Sequence, residues 1–206
     1  MAAVTGQRNT RTEARIKAAF TELLRSKGFD AMSVSDIART AGINRGTFYM
    51  HYTDKFDLRT RLVDDAVDDL TRILIDDADR DGVTVTRDGT AVCDAFQSRA
   101  IAQALRYIRD DYAFFDAISR SGNDMQLYDR LKKTLKQLIV TQATHLGVEP
   151  QESYNGIPAD YAMEILVSAV SSIIWLWLRR GCRETPEQIC AIIERNKTTA
   201  PTDILW

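Results

Sequence analysis

The chain has 206 residues, 45% of them apolar, with four prolines and ten glycines. This balance excludes a disordered or collagen-like chain and favours a mostly helical globular protein. The net charge of −2 points to no partner by itself, but residues 1–60 carry 10 Lys/Arg against 6 Asp/Glu, and the remainder carries 17 against 23; a basic head on an acidic body suits a protein with one polyanion-binding end.

Residues 1–11 are polar, carry Arg8 and Arg11, and read as a flexible arm. They contain no apolar core of a secretory signal. Thr12 and Glu13 suit the cap of a first helix. Ile16, Phe20, Leu23 and Leu24 share one face of it, and Gly28 suits its end. Ser33, with Asp36 three positions on, is a capping-box-like start for a second, short helix that buries Val34, Ile37, Ala38 and Ala41. Gly42 ends it, Ile43 pins the turn, and Asn44 caps a third helix running to about His51. Asp54 caps a fourth that continues to about Ile75.

The stretch 76–89 is rich in Asp, Gly and Thr and reads as a loop between head and body. Val83 to Thr86 alternates like a strand but is too short to make a sheet. Helices are expected near 90–109, 111–120, 124–146, 158–180 and 186–197, with Gly122, Gly147, Gly156 and Gly181 marking breaks. Pro158 and Pro186 suit first-turn positions. The tail from 199 to 206 is expected to be loose. The fold class is therefore all-α, with about nine helices. The arm spans 1–11, a helix-turn-helix head 12–56, and a helical body 57–198.

From Ile165 to Leu178 the chain is apolar apart from serines. As a helix this segment would rise about 21 Å, short of the ~30 Å hydrocarbon core. It is expected to be buried in protein rather than in a membrane. The three cysteines, Cys93, Cys182 and Cys190, form no C-x-x-C pair and suit a reduced, cytoplasmic setting.

Ser33 to Tyr49 has the grammar of a helix-turn-helix. Two short helices crossing steeply need a small residue at their contact, a glycine in the turn and an apolar pin, here Ala38, Gly42 and Ile43. The second helix can then enter a major groove of double-stranded DNA with its N-terminal residues at the base edges. Arg45 can donate two bonds to guanine O6 and N7. Gly46 allows close approach, and Thr47 can meet a phosphate or a thymine methyl. Tyr49, His51 and Lys55 can reach phosphates, and Ser33 and Ser35 can offer hydroxyls.

Over Thr12 to Lys55 the chain resembles the TetR family of regulators. The resemblance rests on Asp36-Ile37-Ala38, Ala41-Gly42-Ile43, Gly46-Thr47-Phe48-Tyr49, His51-Tyr52 and Asp54-Lys55. Tyr52 stands where phenylalanine is usual, and Met50 at a variable position. The resemblance implies a three-helix DNA head, a connecting fourth helix and a helical body that dimerises and binds an effector. It places the DNA contacts on Ser33, Ser35, Asn44, Arg45, Gly46, Thr47, Tyr49, His51 and Lys55. Trp177 to Gly181 and Thr185 to Gln188 resemble a C-terminal type in which two helices pack against their copies as a four-helix dimer interface. Ile173, Ile174, Trp175 and Trp177 are the candidates for it; the alternative puts them in the chain's own core.

Tyr107, Tyr112, Phe114, Phe115, Met125 and Tyr128 are the candidates for an effector pocket, with plain core packing as the alternative. His51 and His145 lack companion ligands, so no metal is expected, and no cofactor either. Asp64-Asp65 and Asp68-Asp69 read as a solvated helix face, as do Arg130, Lys132, Lys133 and Lys136. No nucleophile elbow, zinc-protease signature or phosphate-cradling glycine loop is present, so no enzyme is expected. The expected function is a homodimeric cytoplasmic repressor that binds a palindromic operator and is released by a small-molecule effector. The alternative is a protein–protein co-activator that keeps the fold without acting through DNA.

Overall fold

A computed structural model describes residues 3–78, 98–120, 124–145, 151–154 and 156–198. The described residues form nine helices: α1 (Ala3–Ser26), α2 (Val34–Thr40), α3 (Arg45–Tyr49), α4 (Lys55–Ala78), α5 (Ser98–Asp110), α6 (Tyr112–Ser119), α7 (Asp124–His145), α8 (Ala159–Arg179) and α9 (Pro186–Thr198). Two strands, β1 (Ser153–Tyr154) and β2 (Ile157–Pro158), pair antiparallel between α7 and α8. Cys93, the Val83–Thr86 stretch and the tail from 199 lie outside the described residues.

The chain packs as two units, one of Met1–Ala66 with Ala113–Asp124 and one of Val67–Tyr112 with Met125–Trp206. These units are drawn differently from a head over 12–56 and a body over 57–198. The division falls within α4, and most of α6 belongs with the first unit.

In the first unit α1 buries Ile16, Ala19, Phe20 and Leu24 along one helical face. It begins at Ala3 rather than at Thr12, so the arm expected over 1–11 is helical from Ala3 on. Between Ala3 and Thr12 only Gly6 opposes a helix, and one glycine is too weak a breaker to stop it. Phe29, after the helix end, sits edge-on between Phe20 and Phe56, with centroids at 6.3 and 5.2 Å. The first half of α4 adds Leu58, Leu62 and Ala66 to this core. Asp54 starts α4 as expected: its Oδ1 accepts from the backbone N–H groups of Phe56 and Asp57, both at 2.8 Å. Phe114 and Phe115 of α6 are buried in the same unit, and the Lys17 ammonium lies 4.5 Å from the Phe114 ring centre.

In the second unit α5 and α8 each pack against α9. An ion pair at 2.7 Å joins Arg106 of α5 to Glu187 of α9. Thr185 and Gln188 form a reciprocal cap at the start of α9, with Pro186 in its first turn. Against α7, α8 sets Trp175 edge-on to Tyr128 at 5.5 Å, and Glu164 pairs with Lys132. Val167, Val170, Ser171, Ile174, Trp177 and Leu178 form the buried face of α8.

This helix has 21 residues, so it rises about 31 Å. Among the described residues it alone is long and apolar enough to cross a membrane by length and composition. The expectation drawn from the shorter Ile165–Leu178 run therefore does not stand on length. One face of α8 is buried within the chain, and Glu164 pairs with Lys132 on its flank.

Candidate nucleic-acid interface

The helix-turn-helix is assembled by local caps. Ser33 starts α2: its Oγ accepts from the Asp36 N–H, and Asp36 Oδ2 accepts from the Ser33 N–H at 3.0 Å. The same carboxylate oxygen accepts from Ser33 Oγ at 2.8 Å and from Lys27 Nζ at 2.7 Å, while Oδ1 takes Arg39 at 2.8 Å. Hydrogen bonds from Lys27 and then Ser33 hold the Asp36 carboxyl well below its ordinary 3.8, against the opposing effect of burial.

The turn closes with Gly42 N–H donating to Arg39 and Ile43 N–H to Ala38, at 3.1 and 2.9 Å. Gly42 has φ +63°, a left-handed conformation that suits glycine. Asn44 then caps α3, accepting at Oδ1 from the Thr47 N–H at 2.7 Å and from Thr47 Oγ1 at 3.0 Å. A Cβ on Gly46 would lie 3.2 Å from that oxygen, so the absence of a side chain there protects the cap. Phe48, fully buried, anchors α3 to the core. Asn44, Arg45, Gly46, Tyr49 and Met50 are left exposed.

The expected contact residues therefore fall into two groups. Asn44, Arg45, Gly46, Thr47 and Tyr49 belong to α3 or its cap, and Ser35 is an exposed residue in the first turn of α2. Ser33, His51 and Lys55 are engaged in other ways. The Ser33 hydroxyl is spent on Asp36. The His51 side chain is only 9% exposed, and its Nδ1 faces Glu13 Oε1 of α1 at 3.3 Å. Lys55 donates to the carbonyls of Phe29, Asp30 and Met32, each at 3.0 Å. An ammonium has three N–H donors, so none is left for a phosphate in this arrangement.

Tyr52 lies beside His51, with ring centres 6.1 Å apart, and its ring is buried. Burial, with the negative charges of Glu13 and Asp65, pushes its phenol from 10.0 up to about 12. Composition and spacing did not reveal Arg15, whose guanidinium reaches the turn carbonyl of Gly42, or Lys27, which ties the end of α1 to Asp36. Both act across long sequence gaps, and no local pattern signals them.

The expected pocket set is divided between the units. Phe114 and Phe115 are buried core residues of the first. Tyr107, Tyr112 and Tyr128 are half-buried residues of the second, and the Met125 side chain lies outside the described residues. The Tyr107 hydroxyl donates to Asp69 at 2.9 Å, and burial together with that carboxylate raises its pKa. Tyr128 shares a 3.1 Å hydrogen bond with Ser172.

The interface candidates divide by burial. Trp177 and Ile174 are buried in the chain's own core, and Trp177 Nε1 donates to the Glu184 carbonyl at 3.0 Å. Ile173 and Trp175 are half-buried. The large exposed apolar or aromatic side chains of α8 and α9 are Tyr161, Ile165, Leu176 and Ile192, at 65, 59, 52 and 48%. No group of His, Cys, Asp and Glu suited to a metal ion occurs among the described residues.

An all-helical chain that presents a capped, exposed helix after a tight glycine turn is a helix-turn-helix protein. Residues 16–62 match the bacterial regulatory proteins of the tetR family, and residues 98–196 match a transcriptional regulator C-terminal region. The chain belongs to the TetR family. It is similar to the HTH-type transcriptional regulator YxbF of Bacillus subtilis, with 23% identity over 189 residues, covering 86% of this chain and 42% of that protein. It thus spans less than half the length of that relative. In fold it is similar to a TetR-family regulator from Syntrophomonas wolfei, with 17% identity, a TM-score of 0.62 and coverage of 93% of this chain and 95% of the other. It is also similar to the dihydroxyacetone kinase operon activator DhaS, with 18% identity, a TM-score of 0.58 and coverage of 95% and 97%. At these identities the structural likeness is one of fold.

Proposed function

We propose that the protein is a homodimeric, DNA-binding transcription regulator of the cytoplasm, a repressor rather than an enzyme. It reads a near-palindromic operator and leaves it on binding a small molecule. The observation that carries this reading is the exposed face of α3, where Arg45, Gly46 and Tyr49 stand on a helix capped by Asn44 and anchored by Phe48. Arg45 faces guanine in the major groove. Ser35, Asn44 and Thr47 lie close to the backbone, and Tyr49 offers a hydroxyl to a phosphate. Ser33 and Lys55 shape the motif, and His51 braces it against α1.

A two-fold dimer presents two copies of α3 about one helical turn of DNA apart, or a multiple of it. The exposed Ile165, Leu176 and Ile192 on neighbouring helices α8 and α9 suit such an interface, with Ile173 and Trp175 at its edge. An effector held in the second unit, near Tyr107, Tyr112 or Tyr128, would change the spacing of the recognition helices. Its leverage is limited by its differential affinity for the two states.

Selection of bound duplexes from a randomised library tests the reading. The expected result is an enriched palindrome whose affinity falls steeply with salt and is lost in R45A. If no palindrome is enriched and a stable protein partner is captured instead, the co-activator reading takes its place.

A further inference from the structure

Arg45 and Tyr49 are the first and last residues of α3, four apart, and so stand on one face of the helix. Arg45 donates from a terminal guanidinium nitrogen to the Tyr49 hydroxyl at 3.3 Å, and its guanidinium carbon lies 5.9 Å from the Tyr49 ring centre. The Tyr49 ring is braced edge-on by Phe48, at 5.6 Å and an interplanar angle of 88°. Phe48 is fully buried. A chain of contacts therefore runs from the core through Phe48 and Tyr49 to the exposed guanidinium.

This arrangement does something a carboxylate partner would not. A neutral hydroxyl orients the guanidinium without cancelling its charge. It uses one of five N–H donors and leaves others for a base edge. An unrestrained arginine must give up its rotamer freedom when it binds, and a guanidinium already held gives up less. We propose that Tyr49 is a positioning residue for base readout: it holds Arg45 so that α3 discriminates guanine at one base pair of each half-site. The Tyr49 hydroxyl hydrogen stays available for a phosphate, so the two roles are compatible. The proposal rests on α3 being the recognition helix.

The test uses the full-length protein and a fluorescent duplex selected by the wild type from a randomised library. Each G·C pair of the duplex is replaced in turn by A·T in both half-sites, and the affinity ratio gives the discrimination at that pair. Wild type is expected to show one pair with about tenfold or greater discrimination that R45A abolishes. Y49F lowers that ratio by at least about threefold and leaves the ratios at other pairs unchanged. Y49L, which also removes the ring, lowers it further. In an R45A background Y49F changes the ratio no more. Melting temperatures close to wild type show that the variants fold. If Y49F weakens every duplex equally and keeps the ratio, or still lowers it in the R45A background, the positioning role is overturned while the reading of α3 stands. If R45A changes no ratio at any pair, α3 is not the recognition helix and both fall.

Discussion

Arg15, midway along α1, donates from a terminal guanidinium nitrogen to the carbonyl oxygen of Gly42 at 2.8 Å. The bond joins the first helix to the turn between α2 and α3. Gly42 is left-handed at φ +63°, and a Cβ there would lie 2.6 Å from that same guanidinium nitrogen. The turn is thus held in two ways, by a backbone conformation that glycine accepts and by a side chain that needs the space glycine leaves.

Replacing Gly42 by alanine is expected to destabilise the head on both counts. The left-handed conformation costs a residue with a Cβ about 1–2 kcal/mol, and the guanidinium must move away. R15A loses only the hydrogen bond, about 0.5–1.5 kcal/mol at an exposed site. Urea unfolding should rank wild type above R15A and R15A above G42A. An unchanged midpoint for G42A would mean that the turn does not depend on glycine.

Lys55 separates a structural from a DNA-contacting role. Its ammonium donates to three carbonyls of the segment between α1 and α2 and lies 4.9 Å from the Phe29 ring centre. K55M should leave those carbonyls without their cation and lower stability by about 1.5–3 kcal/mol, the range for hydrogen bonds to charged groups. The slope of log affinity against log salt should stay as in wild type. A phosphate-binding lysine would behave in the opposite way, reducing that slope by about one with stability unchanged.

These positions also show where the sequence was legible. Ser33, Asn44 and Asp54 act on backbone groups within three residues, so their caps could be read from spacing alone. The same holds for Gly42, placed at the end of α2. The packing partners of Lys55 and His51, the 29–32 segment and Glu13, were not legible because they are distant in sequence. The hairpin pairing Tyr154 with Ile157 has two residues per strand, too few for alternation to register. On α8 the apolar run has no polar stripe to mark its phase. Nothing in the residue pattern distinguished Trp177, which is in the core, from Leu176, which is exposed.

The head should also lose stability in acid through Asp36. Its folded pKa is depressed, chiefly by Lys27 and Ser33, below the ordinary 3.8. A carboxylate of this kind contributes fully above the unfolded value and loses its contribution as pH falls through the folded one. The contribution should therefore be complete at pH 5 and above, roughly one unit over the unfolded pKa, and decline below about pH 4. D36N keeps the shape but not the charge. Its melting temperature should be lower at pH 7 and should fall less steeply than wild type between about pH 4 and pH 2. Parallel curves for the two proteins would show that Asp36 carries no linkage.

The two sides of α8 should respond oppositely to substitution. Leu176 is 52% exposed and Ile165 59%, whereas the neighbouring Trp177 is 2% exposed and hydrogen-bonded to the Glu184 carbonyl. Replacing Ile165 and Leu176 together by aspartate puts four charges into the proposed two-fold interface without touching the chain's own core. Burying such charges unpaired is strongly unfavourable. Sedimentation at micromolar concentration should then find monomers that keep the helical circular dichroism of the wild type, together with weakened operator binding because two linked half-sites are no longer presented. W177A should do the reverse. It removes a buried indole, at a cost of about 3–5 kcal/mol, yet leaves the exposed face intact, so the molecules that remain folded should still sediment as dimers. A monomeric wild type, or a double aspartate variant that remains dimeric, would move the interface elsewhere on the chain. The contrast follows from helix geometry: adjacent residues lie about 100° apart around the axis, enough to place one in the core and the next at the surface.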